Sequence, residues 1–97
     1  FYKTVRRAHP DLPIVIVTHP YYHAEAENDK ARKDVIRETV RRAAEEGDTR
    51  VEFVDSEAFF PLQMRDLYAV DALHPNDLGQ FMMARAIYPA LKRALQV

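Results

Sequence analysis

Ile14-Val15-Ile16-Val17 sets four β-branched residues in a row with no polar residue among them. A strand with one face in water alternates apolar and polar side chains. An unbroken run led by Pro13 and closed by Thr18 reads instead as a strand buried on both faces, the habit of parallel sheets. A parallel neighbour needs a long crossover, and the sequence offers one. From about Ala24 to Glu46 it is helical, with Ala31, Val35, Ile36, Val40, Ala43 and Ala44 as one apolar stripe and Asp34, Arg37, Glu38, Arg41, Arg42 and Glu45 around it. Gly47 suits the left-handed residue that ends such a helix. Val51-Glu52-Phe53-Val54 is the second strand, expected to be parallel to the first with a right-handed connection.

The flanks extend this βα unit. Residues 1–8 read as the end of an amphipathic helix, with Arg6 and Arg7 near its negative pole, and His9-Pro10-Asp11 stops it. After the second strand a longer connection, Asp55 to Val70, holds one helical turn near Ser56, which looks like a turn or helix cap. Asn76 then N-caps a last helix, Asp77 to Leu95, with Leu78, Phe81 or Met82, Ile87, Leu91 and Leu95 inward and a kink expected at Pro89. The class is α/β, and 97 residues beginning at Phe1 inside a helix are expected to be a single partial domain, cut from a longer protein. No targeting segment is legible in such a start.

Composition removes several chemistries. No cysteine means no disulfide framework, thiolate zinc site or thiol nucleophile, and two glycines cannot build a Gly-rich phosphate cradle. A net charge of −1 gives no basic field for nucleic acid. Residues 25–50 hold 15 of the 29 charged residues in mixed sign, which reads as a solvated helix face. The longest apolar run, Leu12 to Val17, is too short to span a membrane.

Chemistry concentrates in Asp71-Ala72-Leu73-His74-Pro75-Asn76-Asp77-Leu78-Gly79. Asp71 precedes His74 by three residues in a loop that enters a helix. A carboxylate there can accept a hydrogen bond from one ring nitrogen and leave the other as a proton acceptor, the arrangement a general base needs. The spacing alone favours the plainer reading, in which Asp71 caps a turn and His74 packs at the helix entry.

That stretch, with Met83-Ala84, Ile87 and Pro89-Ala90-Leu91 behind it, resembles the C-terminal block of the SGNH (GDSL-type) hydrolases, which carry Asp-x-x-His just before their last helix. The Pro-led strand, the crossover helix and the strand ending Phe53-Val54-Asp55 fit the same order. The resemblance implies the C-terminal βαβα portion of a flavodoxin-like, three-layer fold with parallel strands. It also implies a serine hydrolase of small-molecule esters, with no cofactor and no metal, in which His74 is the catalytic histidine and Asp71 the triad aspartate. The family's Gly-Asp-Ser nucleophile and its oxyanion glycine and asparagine have no counterpart in these residues. Ser56, the single serine, has no glycine beside it and does not match the nucleophile. The chain by itself is therefore expected to be inactive.

His19, after the first strand, lies at the same end of the sheet and is a candidate to line a substrate pocket with Tyr21 and Tyr22. His9 reads as surface, and Tyr68, Phe59 and Phe60 as core or pocket wall. Two other readings stay open: a non-catalytic α/β interaction module, and a metal site in which His19, His23, His74 and Asp71 converge. In the family's strand order the outer edge of 13–18 has lost its neighbour, so an isolated chain is expected to form a homo-oligomer by edge pairing or helix exchange. Neither nucleic acid nor a membrane is an expected partner, and the sequence leaves the compartment open.

Overall fold

The computed structural model describes residues 1–19, 27–59, 67–70 and 74–96. Its elements run α1 (Tyr2–Ala8), β1 (Ile14–Val17), α2 (Glu27–Glu45), β2 (Val51–Val54), a 3-10 turn at Ser56–Ala58 and α3 (Asp77–Leu95). The two strands are parallel, Ile14 opposite Val51 through Val17 opposite Val54, and Thr18 N–H extends the ladder by donating to the Val54 carbonyl (3.2 Å). This is the parallel α/β arrangement the unalternating run demands.

Local chemistry sets the boundaries. Gly47 ends α2 at φ +90°. Its N–H donates to the Ala44 carbonyl (3.1 Å) and that of Asp48 to the Ala43 carbonyl (2.9 Å), which satisfies two orphan carbonyls. Arg6 closes α1, donating to the carbonyls of His9 (3.0 Å) and Leu12 (2.6 Å) while its Nε reaches Asp48 Oδ2 (2.8 Å). Tyr2 donates to the same carboxylate. Polar contacts thus tie α1 to the turn before β2, and α1 has no buried residue.

Side chains alternate across a strand, and this sorts the layers. Val15, Val17 and Val54 pack with Phe59, Tyr68, Met82, Met83, Ala86, Ile87 and Ala90 into the main core. Arg93, near the end of α3, bonds Glu52 at the start of β2 (3.1 Å). So α3 lies antiparallel to β2, and its N-terminus points to the carboxyl end of the strands. On the other side Ile14 and Ile16 meet α1 and α2 in an apolar groove of about 690 Å³, lined also by Val5, Val35, Ile36 and Ala43. Among the described residues β1 pairs with β2 only, so this groove is its open flank.

Two expected stripes are corrected. Of the expected α2 stripe Ala43 is buried and Ile36 and Val40 are half-buried, whereas Ala31, Val35 and Ala44 are exposed. Lys33, within the charged run read as solvated, is instead 2% exposed, because Asp55 Oδ1 (3.1 Å) and Glu57 Oε1 (3.3 Å) replace the water it loses. In α3, Met82 and Ile87 do turn inward, but Leu78, Phe81, Leu91 and Leu95 are exposed. The helix carries two apolar stripes. The one with the smaller residues, Gly79, Ala86 and Ala90, faces the sheet because it allows the closest approach. The helix continues through Pro89. No described helix is long and apolar enough to cross a membrane.

Candidate functional site

The carboxyl end of the sheet is where helix N-termini, loops and strand ends meet, and where open α/β sheets bind ligands. β1 delivers Thr18 and His19 there. Thr18 is buried and its Oγ1 accepts the Ser56 N–H (2.8 Å), which joins the ends of the two strands. Ser56 does not cap the following turn. Asp55 does, accepting the Glu57 N–H (2.9 Å) from an extended backbone. The Ser56 hydroxyl is turned inward instead, 2% exposed and without a hydrogen-bond partner among the described residues. A hydroxyl so enclosed cannot meet a substrate, which agrees with the motif's mismatch.

The entry to α3 is built by two short segments, 67–70 and 74–76. Ala69 and Pro75 form an antiparallel bridge. Val70 N–H donates to the His74 carbonyl (2.9 Å) and Asn76 N–H to the Tyr68 carbonyl (2.8 Å). Asn76 caps α3 as its residue type suggests, Oδ1 accepting the Gly79 N–H (2.9 Å), and its Nδ2 also donates to the Leu67 carbonyl (2.7 Å). Tyr68 anchors this clasp in the main core. Gly79 is required by close approach, since a Cβ there would lie 2.2 Å from the Tyr68 carbonyl oxygen.

His74 therefore sits on a fixed piece of backbone at the end of the sheet and is exposed. His19 is likewise exposed at the same sheet end. Asp71 and Tyr21 lie outside the described residues, as do Tyr22, His23 and Phe60. Phe59 and Tyr68 prove to be core, 0% and 6% exposed. No group of three or more metal-ligating side chains occurs among the described residues, a set without His23 and Asp71. The apolar groove beside β1 touches neither His74 nor His19, so this groove and the candidate chemistry lie apart.

Electrostatics near this end centre on Asp55. Burial pushes its carboxyl up, but the Glu57 N–H, Arg37 and Lys33 together hold it below the usual value. Neither Lys33 nor the second bond of Asn76 was legible: one hid in a charge run, and the other depends on which carbonyl the fold brings to the amide.

The model of the GDSL-like lipase/acylhydrolase family matches residues 1–92. No curated protein and no solved structure matches the chain.

Proposed function

The chain belongs to the GDSL-like lipase/acylhydrolase family, and from that premise we propose that it supplies the proton-relay half of an ester-hydrolysing site. Asp71 accepts the Nδ1–H of His74. This leaves Nε2 to take the proton from a serine hydroxyl as that oxygen attacks the ester carbonyl, and then to return it to the departing alkoxide. The carboxylate stabilises the imidazolium formed in between. Water repeats the cycle on the acyl-enzyme. The observation that carries the reading is the exposure of His74 on the clasped entry to α3. A histidine that merely packed there would be enclosed. His19 and Tyr21 line the substrate pocket in this reading.

The serine and the oxyanion donors come from outside these 97 residues, so the chain alone does not turn over esters. Loss of one triad member costs several orders of magnitude in rate. Purified chain mixed with a p-nitrophenyl ester is expected to release nitrophenol no faster than buffer. The product of the complete coding sequence is expected to hydrolyse the ester and to lose that activity in His74→Ala. Turnover by the 97 residues alone that vanishes in His74→Ala contradicts the division of the site. A complete product indifferent to His74→Ala contradicts the function.

A further inference from the structure

Ser, Thr and Asp all cap helices by accepting one N–H. Asn76 accepts and donates at once. Its Oδ1 takes the Gly79 N–H (2.9 Å) and its Nδ2 gives to the Leu67 carbonyl (2.7 Å). A flipped amide would set like dipoles against both partners, so the network fixes its orientation. Its own N–H holds the Tyr68 carbonyl (2.8 Å), and the His74 carbonyl holds Val70 N–H (2.9 Å). The chain leaving the core at 67–70 and the chain arriving at 74–76 are thus locked together around three intervening residues. Tyr68, 6% exposed, makes the anchor rigid, and Gly79 leaves the room its carbonyl needs.

We propose that Asn76 is a positioning residue for His74: its side-chain amide clamps the Leu67 carbonyl to the first turn of α3 and so fixes the backbone that carries the imidazole. A cap alone needs only the acceptor; the donor serves the loop. This rests on His74 being the base of the relay, and it adds a residue that touches neither substrate nor the reacting atoms.

Asn76→Asp separates the two jobs, since a carboxylate still caps α3 but cannot donate to Leu67. Asn76→Ser is a second variant of the same design. In both, the amides of α3 are expected to stay protected from hydrogen exchange, while the Val70 amide exchanges roughly tenfold faster, the scale of one lost hydrogen bond. The 15N signals of the His74 ring are expected to lose the wild-type preference for Nδ1–H. Wild-type Val70 protection together with a wild-type ring tautomer in either folded variant overturns the proposal and leaves Asn76 a cap. Faster Val70 exchange with an unchanged tautomer overturns it too, because the clasp then does not reach the ring. A wild-type ring with no Nδ1–H preference overturns the relay itself and the positioning role with it.

Discussion

The two sides of β1 are filled very differently. Toward β2 and α3 the sheet meets Phe59 and Ala90, at 0% and 1% exposure, and a clasp of short hydrogen bonds. Toward α1 and α2 the same strand borders a groove of about 690 Å³, and Val35 on its wall is 66% exposed. Residue type does not explain the contrast, since Ile14 and Ile16 are as apolar as Val15 and Val17. The difference is partnership. One flank has a helix with a small-residue face and an aromatic loop to pack on it, and on the other Ala43 is buried but Val35 is left exposed, with α1 tied by Arg6 and Tyr2 to Asp48. The candidate site is attached to the filled side, so its geometry is set by the stable part of the molecule.

The open flank gives the largest expected effect. An apolar strand edge is a template for another strand, and we propose that the isolated chain self-associates there. Light scattering at roughly tens of micromolar is expected to give a mass of at least a dimer, and Ile16→Lys to return it to that of one chain. A wild-type monomer under those conditions removes the proposal.

Truncations compare the flanks directly. Phe59→Ala is expected to cost about 3–5 kcal/mol, the range for emptying a fully buried aromatic site, whereas Val35→Ala costs less than about 0.5 kcal/mol as a surface change. Denaturant titration of both checks this, and equal losses would erase the distinction between filled and open sides. The two glycines sharpen it. Gly79→Ala drives a Cβ to 2.2 Å from a backbone oxygen on the filled side and is expected to cost about 2–3 kcal/mol by overpacking. Gly47→Ala meets open space and carries only the penalty of its positive φ, about 1 kcal/mol.

The smallest effect is on acid stability. Burial pushes the Asp48 and Asp55 carboxyls up, but hydrogen bonds from Tyr2, the Arg50 N–H and Arg6 on one, and from the Glu57 N–H, Arg37 and Lys33 on the other, hold both below the usual value. A lowered folded-state pKa stabilises the fold above the unfolded value and ceases to do so as pH falls through the folded one. The Tm is therefore expected to be flat from neutral pH to about 4, the ordinary carboxylate value, and to fall below it, less steeply in Asp48→Asn. Glu38 is pushed down to about 2 by its hydrogen bonds to Arg41 and Arg42, but it lies on an exposed helix face, where such pairs add little.

The elements themselves were legible. The β-branched run, Gly47 at φ +90° and the Asn76 cap are local, and local propensity and tertiary structure agree there. Orientation was not. α3 is apolar on two stripes, and periodicity cannot say which one meets the sheet; shape decided, and the leucines lost to Gly79, Ala86 and Ala90. Lys33 looked solvated because a charge reveals its partners only when β2 brings Asp55 to it. Ser56 kept its turn but ceded the cap to Asp55, whose longer side chain reaches the next free N–H. At the candidate site, the motif pointed to His74, but the Leu67 and Tyr68 carbonyls that hold its loop have no side-chain signature.

The proposed relay between Asp71 and His74 can be tested on the ring itself. With the imidazole neutral, 15N spectroscopy is expected to find the proton on Nδ1 and Nε2 bare in the wild type, and the proton moved to Nε2 in Asp71→Ala. A wild-type ring already protonated at Nε2 and indifferent to the loss of Asp71 would contradict it.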